Sequence, residues 1–205
     1  MKVKICGLTD ADQLKICIEN EADFCGFILN YEKSHRHIEF DKARYLTKIK
    51  KENTKFVGVL VNPTNEELKR FSEINLDYYQ IYGNNTEESI LNTKDKYNIK
   101  IISAIQVKNR EDVLGYKQIE KNSDIILWDS SGLEKSLSWD FSWMELVPTN
   151  IVKMLAGNIN TDSLEKLSKL TDIIDVSGAL ETNKVKDINK IKNFLNIVKN
   201  TNEKN

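Results

Sequence analysis

Three stretches of the sequence carry side chains whose types and positions could do chemistry. Cys6, in "KICG", ends an apolar run, so it is either a small core residue or a reactive thiol at the mouth of a pocket. Asp129, in "WDSSG", ends another run, and taken alone it is better explained as a helix or turn cap. Arg36, in "SHRHI", is either a solvated surface charge or a clamp for a carboxylate. His35 and His37, which flank it, are interpreted as surface residues.

Small residues follow two later apolar runs. "LAGN" places Gly157 and Asn158 after one run, and "DVSG" places Ser177 and Gly178 after another. Unpaired backbone N–H groups at such strand ends would favour an anion such as phosphate. The alternative is that the glycines only permit tight turns. In all these cases the choice depends on the elements that carry the residues.

Short runs rich in β-branched and aromatic residues alternate with longer amphipathic stretches along the chain. The predicted strands are "VKIC", "DFCGFIL", "KFVGVLV", "DYYQIY", "KIISAIQV", "DIILWD", "NIVKMLAG" and "DIIDVSG". A predicted helix follows each strand, and Thr64 with Glu67 has the form of a capping box at the start of one of them. These consecutive units, with no linker between them, predict a single (β/α)8 TIM barrel over residues 1–205. An open, doubly wound sheet is the alternative, because one miscounted strand would remove the reason for closure.

A closed barrel would bring the candidate residues together. Active sites in this architecture lie at the C-terminal ends of the strands, so Cys6 and Asp129 would face the same mouth. Lys4 lies two residues before Cys6 and, by strand alternation, on the same face. The other strand-end candidates are Gly7, residues 30–36, Asn62, Tyr82, Gly83, Gln106, residues 130–132, Gly157, Asn158, Ser177 and Gly178.

The composition indicates an ordinary globular protein that acts on a small molecule. A net charge of -1, with 30% charged residues of nearly balanced sign, gives no electrostatic reason to expect nucleic acid or an anionic membrane as partner. We expect a cytoplasmic location, because no apolar run resembles a membrane span or a secretory signal. The spacing of Cys6, Cys17 and Cys25 matches neither a disulfide framework nor a metal site, so reduced thiols are expected.

Seven motifs, in order from Lys4 to Asp187, resemble those of phosphoribosylanthranilate isomerase. They are "KICGLT", "GFIL" followed by "SHRHI", "VGVLVN", "YYQIYGNN", "ILWDSSG" ahead of "SLSW", "LAGNI" and "DVSGALETNKVKD". The resemblance implies a (β/α)8 barrel that isomerises N-(5-phosphoribosyl)anthranilate to 1-(2-carboxyphenylamino)-1-deoxyribulose 5-phosphate in tryptophan biosynthesis. This is an Amadori rearrangement, and the family uses neither metal nor coenzyme.

The resemblance also implies roles for particular residues. Cys6 would be the general base, acting as a thiolate that positive surroundings favour, and Asp129 would be the general acid. Arg36 would hold the anthranilate carboxylate, and Asp175 would be a further substrate contact. The residues implied to hold the phosphate are Gly157, Asn158, Ser177 and Gly178.

The chain departs from the family's usual pattern at several strand ends and in the loop after Asp129, which is shorter and less glycine-rich than usual. Gly157-Asn158 stands where two glycines are usual, and Ser177-Gly178-Ala179 stands where Ser-Ser-Gly is usual. Tyr82 replaces a histidine. These differences leave open a phosphosugar-binding barrel without turnover, although Cys6 and Asp129 are both present.

Because fold alone does not fix a reaction, another phosphosugar barrel enzyme of the tryptophan pathway is a further alternative. Examples are an indole-glycerol-phosphate synthase and a lyase of the tryptophan synthase α type. The sequence is compatible with either a monomer or a homodimer.

Overall fold

Eight parallel strands, each hydrogen-bonded to its neighbours, close into a barrel in the computed structural model, which describes residues 1–83, 85–130 and 137–203. The strands are β1 Lys2–Cys6, β2 Phe24–Ile28, β3 Lys55–Val61, β4 Tyr78–Tyr82, β5 Lys100–Val107, β6 Ile125–Ser130, β7 Lys153–Leu155 and β8 Ile173–Val176. The last strand returns to the first, with Asp175 opposite Lys4 in the register. The predicted closed barrel is therefore confirmed, and the open sheet is wrong.

Helices follow the strands on the outside of the barrel. The α-helices are α1 Ala11–Glu19, α2 Phe40–Leu46, α3 Asn65–Phe71, α4 Glu87–Tyr97, α5 Leu164–Leu167 and α6 Ile188–Glu203. Segments of 3₁₀ helix span Glu111–Gln118, Phe141–Leu146, Thr161–Ser163 and Gly178–Leu180. The capping box predicted from Thr64 and Glu67 is present at the start of α3.

The predicted helices after β5 and β6 have 3₁₀ geometry. Gly115 lies in the middle of the first, where glycine weakens an α-helix through its backbone freedom. The second is only six residues long and ends two residues before Pro148. Both still cover the barrel, because Val113, Tyr116 and Met144 are buried against it.

Strand alternation produces two separate cores. Val3 and Ile5 of β1 point outward and pack between the strands and the helices. Cys6 points inward, where apolar residues such as Val57 and Leu127 fill the barrel. Lys4, also on the inward face, is fully buried. The prediction that Lys4 shares the face of Cys6 is therefore confirmed.

A short antiparallel pair follows β8 and was not predicted from the sequence. Its strands are β9 Glu181–Thr182 and β10 Val185–Lys186. The turn between them places Asn183 and Lys184 at φ of 52° and 63°, the left-handed conformation that tight hairpin turns require. Strands of two residues are too short to show periodicity. The pair brings the charged side chains of Glu181 and Lys186 to the barrel mouth.

Among the described helices, none has both the length and the apolar character needed to cross a membrane.

Candidate active site

A cavity of about 380 Å³ opens at the C-terminal ends of the strands. Its lining includes every residue that the sequence predicted to be catalytic or substrate-binding, namely Cys6, Arg36, Asp129, Gly157, Asn158, Asp175, Ser177 and Gly178. Gly132, a further strand-end candidate, lies outside the described residues. A larger cavity, of about 540 Å³, lies on the outer side between α3 and α4 and is lined by none of these eight residues.

Cys6 ends β1 and is almost completely buried, with 8% of its surface exposed. Gly26 on the neighbouring strand leaves room for it. A Cβ at position 26 would lie 3.1 Å from Cys6 Sγ and 3.2 Å from Lys4 Nζ. Burial raises the pKa of the Cys6 thiol, and the Lys4 ammonium offsets only part of that rise. The positive neighbour expected from the sequence is present, but desolvation outweighs it.

Lys4 and Asp175 form an ion pair across the β1–β8 junction. Lys4 Nζ donates to Asp175 Oδ2 at 2.7 Å, and both side chains are buried. Burial lowers the pKa of Lys4, but the Asp175 carboxylate and Cys6 raise it by more, so Lys4 stays charged. Asp175 Oδ1 is buried and has no hydrogen-bond partner within the described ranges. Because Asp175 lines the cavity, a ligand there could supply the missing donor.

Asp129 lies within β6 rather than at the start of a helix, so it is not a helix cap. Its Oδ2 accepts a hydrogen bond of 2.8 Å from the Tyr82 hydroxyl. Burial raises the pKa of this carboxyl to about 6, although the Tyr82 hydrogen bond lowers it. A carboxyl with such a pKa is partly protonated near neutral pH and can donate a proton.

Arg36 is not a solvated surface charge. Its Nε and Nη2 donate to the two carboxylate oxygens of Glu181, at 2.5 and 3.0 Å. Its stem lies against Gly7, where a Cβ would be 2.4 Å from Arg36 Cδ. In this structure Arg36 therefore makes a bidentate contact with a carboxylate of the protein itself, that of Glu181.

Glu181 is the centre of a charged cluster at the rim of the cavity. Lys186 Nζ donates to its Oε1 at 2.5 Å, and His35 Nε2 lies 3.1 Å from its Oε2. Burial opposes ionisation of Glu181, but the hydrogen bonds from Arg36 and Lys186 hold its pKa at about 2. His35, interpreted from the sequence as a surface residue, is exposed but also lines the cavity. His37 Nε2 contacts the Leu29 carbonyl at 3.2 Å, away from the cavity lining.

The loop after β7 contributes Gly157 and Asn158 to the lining of the cavity. Gly157 has φ of 111°, and a Cβ there would lie 2.8 Å from Trp139 Nε1, so only glycine fits. Asn158 has φ of 50°, a conformation that asparagine tolerates, and its side chain donates to Ser138 Oγ at 2.9 Å. The N–H groups of Gly157 and Asn158 have no acceptor among the described residues.

The loop after β8 is the second place expected to hold an anion. The Ser177 hydroxyl donates to the Cys6 carbonyl at 2.9 Å, so this side chain holds the loop against β1. A Cβ at Gly178 would lie 3.4 Å from Arg36 Nη2, an ordinary van der Waals contact, so this position lies beside the guanidinium without requiring glycine. Lys184, in the turn between β9 and β10, also lines the cavity.

Cys6, Cys17 and Cys25 are buried free cysteines in this structure. In the described part of the chain, histidine, cysteine and acidic side chains form no cluster of three or more that could hold a metal ion.

Four residues in or beside the cavity were not predicted from the sequence. Gln80, Glu181 and Lys184 line the cavity, and Lys186 Nζ donates to Glu181 Oε1 and to the Ser177 carbonyl. Gln80 could have been found, because it lies two residues before Tyr82 and so shares its inward face. The other three depend on the β9–β10 pair, for which the sequence has no periodic pattern.

Comparison with known proteins identifies the family. The family model described as "PRAI: N-(5'phosphoribosyl)anthranilate (PRA) isomerase" matches residues 3–197. The N-(5'-phosphoribosyl)anthranilate isomerase of Thermoanaerobacter pseudethanolicus is 34% identical, over 97% of this chain and 98% of its own length. That of Streptococcus mutans is 31% identical, over 97% of this chain and 98% of its own.

Solved structures agree with these sequence matches. Phosphoribosyl anthranilate isomerase from Thermotoga maritima superposes with a TM-score of 0.85 at 27% identity, covering 98% of this chain and 99% of that one. A phosphoribosyl anthranilate isomerase in complex with reduced 1-(o-carboxyphenylamino)-1-deoxyribulose 5-phosphate superposes with a TM-score of 0.82, at 27% identity and the same coverage. The chain belongs to the N-(5'-phosphoribosyl)anthranilate isomerase family.

Proposed function

We propose that this protein catalyses the Amadori rearrangement of N-(5'-phosphoribosyl)anthranilate to 1-(2-carboxyphenylamino)-1-deoxyribulose 5-phosphate. The observation that carries the proposal is that Cys6 from β1 and Asp129 from β6 line one cavity in a chain of this family. A thiol and a carboxyl of raised pKa on the same cavity suit an isomerisation that moves protons between carbon and oxygen.

The reaction proceeds in two proton transfers followed by tautomerisation. Asp129 protonates the furanose ring oxygen, the C1–O bond breaks, and the nitrogen electron pair forms a C1=N iminium. The Cys6 thiolate then removes the C2 proton, and the C2–H electron pair forms a C1=C2 bond as the iminium pair returns to nitrogen. The enolamine becomes the ketone when C1 gains a proton and the C2 hydroxyl loses one. Proton exchange with solvent returns Asp129 to the acid and Cys6 to the thiolate.

The charges around Cys6 support this sequence of steps. The buried Lys4 ammonium lies beside the thiol and stabilises a thiolate, while its ion pair with Asp175 keeps it protonated. The iminium formed by the first step adds a second positive charge next to C2. Lys4 is fully buried and is not among the residues that line the cavity, so it is assigned the role of a positioning and charge-supporting residue for the base.

Two buried acceptors fit a sugar with several hydroxyl groups. Asp175 Oδ1 and Gln80 Oε1 both lack a hydrogen-bond partner among the described residues, and both side chains line the cavity. An unsatisfied buried acceptor costs about 1–3 kcal/mol, so a ligand that supplies a donor gains that amount. Ribose hydroxyls supply donors of this kind.

Arg36→Ala is expected to raise KM by roughly tenfold or more, because a charged hydrogen-bond donor to the anthranilate carboxylate is lost. The two hydrogen bonds to Glu181 use two of the five guanidinium N–H donors of Arg36, so the other three are available to a ligand. Steady-state kinetics would check this, with the exposed Arg44 of α2 replaced by alanine as the matched control. An unchanged KM in Arg36→Ala would remove Arg36 from the substrate site.

Inorganic phosphate is expected to compete with the substrate and to raise the melting temperature. The Gly157 and Asn158 N–H groups and the loop that begins at Ser177 would hold it, with Lys184 nearby. Thermal melts and inhibition kinetics at constant ionic strength, with chloride as the control anion, would test this. Phosphate that neither competed nor stabilised more than chloride would contradict the placement.

Genetic complementation tests the function itself. The gene should restore growth without tryptophan to a bacterial strain that lacks its own phosphoribosylanthranilate isomerase. It should not do so for a strain that lacks indole-glycerol-phosphate synthase, which separates the proposal from another barrel enzyme of the pathway. Failure in the first strain, with the protein present in soluble form, would favour a binding barrel without turnover. The cytoplasmic location and the choice between monomer and homodimer stay predictions.

A further inference from the structure

Tyr82, at the end of β4, is a buried residue that the proposed reaction does not use. Its hydroxyl donates to Asp129 Oδ2 at 2.8 Å. The same hydroxyl accepts a hydrogen bond of 3.1 Å from Gln80 Nε2. Gln80 and Tyr82 are two residues apart on one strand, so both point inward, with 1% and 7% of their surfaces exposed. The three side chains form one hydrogen-bonded chain that ends at Asp129.

The directions of these hydrogen bonds determine where the Asp129 proton is held. An amide NH₂ only donates, so the Tyr82 oxygen accepts from Gln80. A phenol has one proton, and that proton is therefore directed to Asp129 Oδ2. An Oδ2 that accepts from Tyr82 leaves Oδ1 as the oxygen that can carry the hydrogen of the protonated form, while the Ser130 backbone also hydrogen-bonds this carboxyl.

We propose that Tyr82 is a positioning residue that orients the carboxyl of Asp129 for proton donation, with Gln80 fixing the direction of its hydrogen bond. The proposal rests on the proposed function, in which Asp129 is the general acid. Tyr82 holds Oδ2 and fixes the plane of the carboxyl, so that the acidic hydrogen on Oδ1 is presented to the cavity. This sequence has tyrosine where a histidine is usual in the family, and both side chains can donate one hydrogen bond.

The charged and titratable groups that face Asp129 come from three strands. Asp175 of β8 and Lys4 of β1 act on it with opposite sign, and Tyr82 of β4 contacts it directly. The neutral Gln106 of β5 is opposite Asp129 in the strand register. Removing the Tyr82 hydroxyl takes a hydrogen bond from the ionised carboxylate, so the pKa of Asp129 should rise further in Tyr82→Phe.

The test compares Tyr82→Phe with Tyr79→Phe in steady-state kinetics. Tyr79 is on the same strand but points outward, and its hydroxyl donates to the Leu68 carbonyl at 3.0 Å. In Tyr82→Phe, kcat should fall roughly tenfold while KM changes by less than about twofold, because orientation of the acid matters in the transition state. Tyr82→His should recover most of the lost kcat. Tyr79→Phe should keep the wild-type kcat whatever it loses in stability.

A second readout does not depend on turnover. Infrared difference spectra between each protein and its own Asp129→Asn derivative report the titration of this carboxyl without substrate. The midpoint should move to higher pH in Tyr82→Phe and stay unchanged in Tyr79→Phe. A wild-type protein without isomerase activity would overturn the proposed function. In that case the infrared titration would still test whether Tyr82 acts on the Asp129 carboxyl, because it needs no turnover. The proposal is overturned if the midpoint does not move, or if kcat in Tyr82→Phe matches that of Tyr79→Phe.

Discussion

Asp129→Asn is expected to lower kcat about a hundredfold or more, the usual effect of removing a positioned general acid. An amide has nearly the shape of a carboxyl and can still accept the hydrogen bond from Tyr82, but it cannot protonate the ring oxygen. The loss should therefore appear in kcat, with a smaller change in KM. Near-normal turnover in this variant would leave Asp129 a structural residue of β6.

Asp129→Asn should also change how kcat/KM depends on pH. The acid form of Asp129 decreases above a pKa of about 6, while the thiolate form of Cys6 increases up to its raised pKa. Below about pH 6 Asp129 stays protonated and only the thiolate fraction of Cys6 grows, so kcat/KM of the wild type rises with pH. Between about pH 6 and the raised pKa of Cys6, the loss of protonated Asp129 offsets the gain in thiolate, so kcat/KM is flat. In Asp129→Asn the cancellation is lost, and the residual kcat/KM should keep rising with pH. A break near pH 6 that survived the substitution would belong to another group.

Unfolding does not explain the expected loss of activity in Asp129→Asn. The folded pKa of about 6 lies above the ordinary value of 3.8, so ionised Asp129 destabilises the fold at pH above 6, by about 3 kcal/mol. This cost disappears as the pH falls toward 3.8. The variant should therefore melt at the same or a higher temperature than the wild type at pH 7.5, as calorimetry would show.

Cys6→Ser is the other substitution with a large expected effect, a loss of about a hundredfold or more in kcat. A serine hydroxyl is a far weaker acid than a thiol, so almost no alkoxide exists near neutral pH even beside Lys4. Cys17→Ser is the matched control, because Cys17 is a buried cysteine of α1 outside the cavity. Equal activity in the two variants would return Cys6 to the role of a core residue.

Chemical labelling separates the thiols without any substitution. Cys6 lines the cavity, whereas Cys17 and Cys25 are completely buried. Iodoacetamide should therefore label Cys6 first, faster at higher pH because its pKa is raised, and inorganic phosphate or a product analogue should slow the reaction. Mass spectrometry of the peptides would identify the site. Earlier labelling of Cys17 or Cys25 would contradict the position given to Cys6.

Much of the fold and most of the cavity lining could be predicted from the sequence, because both depend on local patterns. Apolar runs of four to eight residues indicated the eight strands. Strand alternation then placed Lys4 beside Cys6, and barrel geometry placed the strand ends at one mouth. The family motifs indicated which of those ends carry the site.

Contacts between distant segments could not be predicted. Arg36 and Glu181 are 145 residues apart, and their ion pair depends on how the β9–β10 turn folds over the mouth. The hydrogen bond between Tyr82 and Asp129 joins strands that are not neighbours in the barrel. The raised pKa of Cys6 was also missed, because a lysine beside a thiol is visible in the sequence but the extent of burial is not.

The most direct measurement follows the loss of N-(5'-phosphoribosyl)anthranilate fluorescence with purified protein in the presence of a metal chelator. Borohydride reduction of the product would confirm that a ketone has formed. Rapid turnover is expected of the wild type and of Cys17→Ser, with a loss of about a hundredfold or more in Cys6→Ser and Asp129→Asn. Substrate that disappeared no faster with the wild-type protein than in buffer would contradict this expectation.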